Sequence, residues 1–87
     1  MTLVSQNIKF LRNKMGYTQE QLSDKIGIKR SLLGAYEEGR ADPRLANLLK
    51  MSEVFSIPVD HIISRDLQDP SSSVSGATTK GKEILAY

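Results

Sequence analysis

The stretch from Gln19 to Glu38 constrains this chain more than any other. It reads as two short helices joined by a tight turn. Thr18 is a suitable N-cap, and Gln21, three residues on, completes a capping box. Leu22 and Ile26 are spaced i, i+4 and share one helix face. Gly27 stands where the chain must bend, and glycine enters the left-handed region without steric cost. Ile28 then returns to the core. Leu33 and Tyr36, at i and i+3, mark the inner face of the second helix. Ser23 is small where the two helices would cross closely.

This pattern resembles the helix-turn-helix of the phage repressor and Cro-like (XRE-type) family. The resemblance rests on Leu22, Ser23, Ile26, Gly27, Ile28, Leu33 and Tyr36 together. It implies an all-α fold, a compact, lambda-repressor-like bundle of five helices with a flexible C-terminal tail. It also implies that the second helix enters the major groove of double-stranded DNA, which is wide enough to admit a helix. The plainer alternative is a helical hairpin with no nucleic-acid role.

The rest of the chain sets limits on that reading. Its 87 residues suffice for one small domain, and a bundle of about 65 residues stands alone with a thin margin. It has no cysteine, so neither a disulfide framework nor a thiolate metal site is expected. It has no apolar run long enough to span a membrane. The first residues lack a basic-then-apolar leader pattern, which points to the cytoplasm. The net charge of +2 is only mildly basic and does not by itself indicate nucleic acid. Basic residues do gather around the turn and the second helix, at Lys25, Lys29, Arg30 and Arg40.

A first helix is expected from about Ser5 to Lys14, capped by Thr2 or Ser5 and closed by Gly16. Val4, Ile8, Leu11 and Met15 form one apolar stripe on it, with Phe10 at the core edge. The resemblance implies that Arg12 pairs with Glu37 and locks this helix onto the helix-turn-helix. A fourth helix is expected up to about Phe55. Its start falls at Asp42-Pro43 by local capping rules, or at Arg44 by the family pattern. Leu45, Leu48, Leu49, Ser52 and Phe55 are expected on its inner side, with Met51 at the border. Ile57, Pro58, Val59 and Asp60 open a short fifth helix ending near Ser64. Its apolar residues, Ile57, Val59, Ile62 and Ile63, fit core closure and a dimer contact equally well.

Composition changes at Asp66 and divides the chain into a domain at 1–65 and a flexible linker or tail at 66–87. Ile84-Leu85-Ala86-Tyr87 resembles the start of a strand. Either a second domain follows, as in two-domain phage-type repressors, or the chain ends in a frayed tail. Gly76, Gly81 and Lys82 match part of a phosphate-binding loop. That loop needs Ser or Thr after the lysine, and here Glu83 follows, so the match is set aside as chance.

Site residues follow from the resemblance. With Leu33 and Tyr36 turned inward, Arg30, Ser31, Leu32, Gly34 and Ala35 form the expected base-contacting set. Arg30 is the strongest of these, because its planar fork can donate two hydrogen bonds to guanine. Gln19, Lys29, Arg40, Lys14 and Arg44 are the expected phosphate contacts, which position without reading sequence. One departure stands out. The family usually has Ser or Thr at the position of Lys29, and lysine cannot cap a helix N-terminus. Its charge can serve a phosphate instead.

No catalytic constellation is visible, and His61 is the only histidine. No cofactor, metal or small-molecule ligand is expected. The function expected is that of a sequence-specific DNA-binding regulator of transcription, a repressor acting as a homodimer. An antitoxin or restriction-controller role uses the same domain. A protein–protein interaction module on a helical bundle is the alternative of a different class.

Overall fold

In the computed structural model, which describes residues 2–69, five helices run α1 (Leu3–Met15), α2 (Gln19–Ile26), α3 (Arg30–Glu38), α4 (Leu45–Phe55) and α5 (Val59–Ser64). No strand occurs among the described residues. Helix α1 begins two residues before the sequence expectation. Thr2 is its N-cap, and Ser5 is the reciprocal partner: the Ser5 N–H donates to Thr2 Oγ1 at 3.1 Å and the Thr2 N–H to Ser5 Oγ at 2.9 Å. Both expected cap residues are therefore used, at opposite ends of one capping box. Thr18 and Gln21 build the second box at α2, with distances of 3.1 and 2.8 Å.

The helices pack as a ring. α1 lies on α3 and α5, α2 on α3 and α4, and α4 on α5. Ile8, Leu22, Leu33, Met51 and Ile62 are fully buried at its centre, with Leu11, Ile26, Tyr36, Leu48 and Phe55 around them. The turn between α2 and α3 forms as expected: Gly27 has φ +76°, and the Ile28 N–H donates to the Ser23 carbonyl at 3.0 Å.

Helix α4 corrects the expected inner face. It starts after Arg44, as the family pattern implied, and buries Leu48, Met51 and Phe55. Leu45 is 65% exposed and Leu49 is 52% exposed. Leu48, Met51 and Phe55 follow i, i+3, i+7, the spacing of a single face, and Leu45 and Leu49 lie off it. Met51, read as a border residue, is the most deeply buried of the three. Met15 also leaves its expected stripe, at 44% exposed. Helix α4 ends at Ser56 with φ +56°, the one left-handed non-glycine among the described residues.

The last turn of the fold is held by a residue that local pattern did not mark. Asn7 on α1 is fully buried. Its Nδ2 donates to the carbonyls of Ile62 at 2.7 Å and Arg65 at 2.5 Å, and its Oδ1 accepts from the Leu67 N–H at 3.1 Å. One side chain thus satisfies backbone groups at the end of α5 that have no helical partner. Leu67 packs against the core, so the expected tail begins with docked residues. The strand-like run at 84–87 and the phosphate-loop-like run at 76–82 lie outside the described residues.

Replacing Asn7 by Ala leaves two carbonyls and one N–H, at buried and half-buried positions, without this partner. We expect a loss of about 2–3 kcal/mol in folding stability, by the usual penalty for unmet buried polar groups. Urea denaturation followed by circular dichroism measures it. A loss below about 0.5 kcal/mol, the size of a surface change, contradicts this account of Asn7.

Candidate nucleic-acid interface

Helices α2 and α3 present one outer surface. Lys29, Arg30, Ser31 and Leu32 are exposed along the first turn of α3, while Leu33 and Tyr36 are buried beneath it. Tyr36 keeps its hydroxyl satisfied, since Asn47 Nδ2 on α4 donates to it at 3.0 Å. The orientation of α3 is therefore fixed from below by apolar packing and one hydrogen bond.

A buried ion pair fixes it from the side. Arg12 donates to Glu37 through Nε at 2.7 Å and Nη2 at 3.1 Å, and through Nη1 to the Tyr17 carbonyl at 2.8 Å. The side chains are 11% and 2% exposed. The pair implied by the resemblance is present, and it is bidentate. Its direction is inward, to Glu37 and the Tyr17 carbonyl.

Gln19 extends this pair to the outer surface. Its Nε2 donates to Glu37 Oε1 at 3.1 Å, and its Oε1 accepts from Arg30 Nη1 at 3.0 Å. Arg12, Glu37, Gln19 and Arg30 form one chain of hydrogen bonds across three helices. Arg30 is thus held over α3 in the free protein. Gly34 lies under this bridge: a Cβ there would stand 3.8 Å from Gln19 Oε1.

Three of the expected contacts are placed differently. Gly34 and Ala35 are buried, not open on the base-reading face. Gln19 stands close over Gly34. The turn after α3 folds back over Ala35, whose carbonyl accepts from the Arg40 N–H at 2.9 Å. Lys14 is not gathered with the others. Its ammonium stands 5.8 Å from the Phe10 ring centre, and it borders a cleft of about 280 Å³ with Leu11, Met15, Phe55 and Ile57. Arg40 is exposed and donates to Glu38 at 2.7 Å, a surface pair of little energetic weight. Asn7 and Asn47 carried no local signal, because their partners are distant in sequence.

Helix ends add a second pattern. Lys29 and Arg44 are the N-caps of α3 and α4, and neither side chain makes a capping hydrogen bond. Both helix starts therefore combine unmet N–H groups with an exposed cation, which suits an anion. Among the described residues, no helix is long and apolar enough to cross a membrane, and no group of three or more His, Cys, Asp or Glu could hold a metal.

The helix-turn-helix family model matches residues 8–62, and the chain belongs to that family. It is 28% identical over 99 residues to YonR, an SPbeta prophage-derived HTH-type transcriptional regulator of Bacillus subtilis, covering 98% of this chain and 92% of that one. It is 32% identical to the HTH-type transcriptional regulator ImmR of Bacillus subtilis over 72% of this chain but only 50% of ImmR. Its fold is similar to that of the controller protein C.AhdI of Aeromonas hydrophila, with TM-score 0.67, 29% identity, and 71% and 94% of the two chains covered. It is also similar to SinR, the master regulator for biofilm formation, solved with DNA, with TM-score 0.64, 30% identity, and 68% and 95% covered. A P22 c2 repressor, at 22% identity and TM-score 0.69, shares the fold over 74% of this chain and 97% of its own.

Two stability outcomes test the site. Lys29→Ser restores a capping oxygen to α3 and should stabilise the free protein by about 1 kcal/mol. A lower melting temperature for this variant contradicts the reading of Lys29. Glu37→Ala leaves Arg12 buried beside an empty position and removes the acceptor of Gln19. We expect a loss of about 3–5 kcal/mol. Glu38→Ala, which breaks only the exposed pair with Arg40, is the control and should change stability by less than about 0.5 kcal/mol. Equal losses for the two variants would remove the distinction drawn here.

Proposed function

We propose that this chain is a sequence-specific regulator of transcription that lays α3 in the major groove of double-stranded DNA and acts as a dimer. Repression is the output that best fits its phage-type relatives. The observation that carries the reading is the hydrogen-bonded chain from the buried Arg12–Glu37 pair through Gln19 to Arg30. It sets the one exposed arginine of α3 in a defined place on a helix whose opposite face is locked in the core.

Arg30 is the base reader. A guanidinium carries five N–H donors, and Gln19 takes one of them through Nη1. The Nε and Nη2 edge remains free for two parallel hydrogen bonds to guanine O6 and N7, worth about 1–3 kcal/mol of discrimination. Ser31 can donate or accept beside it, and Leu32, 36% exposed, offers an apolar contact to a thymine methyl. Gly34 and Ala35, buried under Gln19 and the turn after α3, add no reading group of their own. Lys29 and Arg44, with the unmet N–H groups of their helices, hold phosphates. Arg40 does so only on leaving Glu38, and Gln19 serves mainly to position Arg30.

The controller reading keeps the same contact with DNA and differs in the gene controlled. The likeness to C.AhdI favours it as the second reading. It predicts a binding site next to a restriction–modification locus.

The test is selection of bound duplexes from a random library at low and moderate salt. A two-fold symmetric sequence should be enriched, with half-sites about one helical turn apart, roughly 34–36 Å. Arg30→Ala should relax selection at one guanine per half-site and cost about 1–3 kcal/mol there. Salt-sensitive binding without enrichment would reduce the protein to a phosphate binder. No binding at either salt would favour a protein-interaction module instead.

A further inference from the structure

We infer that a second copy of this chain docks on the outer face of α4, antiparallel to it, with Leu49 against Leu49. The inference rests in part on the DNA-binding dimer proposed above and assigns its surface. Leu45 and Leu49 are 65% and 52% exposed, more than the other large apolar residues described. They are i, i+4 on one helix, so their side chains adjoin. Exposed Ala46 lies beside them. The opposite face of α4 is filled by α2 and α5, and no other helix among the described residues packs on this face.

Charge selects the occupant and its direction. Exposed Arg44 lies at one end of the leucine pair, and exposed Glu53 lies one turn beyond the other end. The ion pairs among the described residues are Arg12–Glu37 and Arg40–Glu38, so Arg44 and Glu53 have no ion-pair partner among the described residues. A second copy laid antiparallel about Leu49 sets its position 45 opposite position 53. Glu53 of each copy then comes beside Leu45 of the other, and the five-donor guanidinium of Arg44, one residue on, bridges that carboxylate and the phosphate at the start of α4. A parallel arrangement would set like charges together at both ends. The antiparallel one is also the arrangement that a two-fold axis produces, with the same patch on both copies.

Area selects the setting. The two leucines expose on the order of 200 Å² per copy, against about 800 Å² per partner in stable complexes. The contact is therefore too small to hold two copies together in dilute solution. On DNA, neighbouring half-sites raise the local concentration into roughly the millimolar range, as a short tether does. There the same contact couples the two binding events.

The chain has no cysteine, so a single Leu49→Cys variant reports on this contact alone. Ile63→Cys, 46% exposed on α5, is the control. Under mild oxidation Leu49→Cys should cross-link faster than Ile63→Cys, both in concentrated protein and on the selected duplex. A Leu45→Ser/Leu49→Ser double variant should bind a single half-site as the parent does. It should lose about tenfold to hundredfold on the full site, the size of an ordinary coupling between sites. Cross-linking at 49 no faster than at 63, with and without DNA, overturns the inference and leaves the leucines to a partner of other sequence. Full-site binding unchanged in the double variant overturns it as well. Cross-linking at 49 in a protein that binds no duplex upholds the contact and defeats the DNA-binding reading instead.

Discussion

The ion pair between Arg12 and Glu37 is the junction on which this small fold turns. Five short helices are arranged as a ring, and none is long enough to be stable by itself. The ring must close on α1, which packs on both α3 and α5. Two buried polar side chains of α1 secure those two seams: Arg12 holds the end of α3 and Asn7 holds the end of α5. Apolar packing alone is tolerant of sliding, because it is not directional. A bidentate ion pair and a three-bonded amide are directional. They define where α3 lies relative to α1 to within hydrogen-bond tolerance.

The helix ends divide along the same line. The starts of α1 and α2 are closed by reciprocal capping boxes, while those of α3 and α4 have lysine and arginine and no capping oxygen. A capping oxygen contributes about 1 kcal/mol, and a cation near a helix start works against the dipole. The start of α5, at Pro58, also lacks a side-chain cap, so what sets α3 and α4 apart is the exposed cation at each uncapped start. Local rules are commonly broken at functional sites, where a ligand supplies what the chain leaves out. A phosphate at either end would meet both the free N–H groups and the cation.

Much of this was legible in the sequence because it is local. Thr18, Gln21, Leu22, Ile26, Gly27, Leu33 and Tyr36 act within a few residues of one another, and the structure places each as its spacing implies. The Arg12–Glu37 pair is not local and was reached only through the resemblance. Asn7 was missed because its partners lie 55 to 60 residues away, and an asparagine inside a helix carries no sign of them. Helix α4 was misread for a different reason. Leu45, Leu48, Leu49 and Met51 offer more apolar positions than one face can hold, so periodicity leaves the inner face open. Which leucines go inside is decided by α2 and α5, and that information is not in α4.

The bridge to Arg30 passes over Gly34, where an added Cβ would meet Gln19 Oε1 at 3.8 Å, an ordinary contact, so only a side chain larger than alanine is kept out. Gly34 lies inside α3, where glycine costs about 1 kcal/mol relative to alanine. A large side chain there would compete with Gln19 for the space beside the bridge. An unrestrained arginine loses up to about 2 kcal/mol of rotamer freedom when it is ordered at an interface. Gln19 accepts one hydrogen bond from Arg30 in the free protein, and Glu37 accepts one from Gln19. An exposed hydrogen bond contributes only about 0.5–1.5 kcal/mol, so it offsets part of that loss on binding and not all of it. On the proposed function, a helix of nine residues with one arginine to read bases has few contacts to offer, so any prior ordering of that arginine adds to binding.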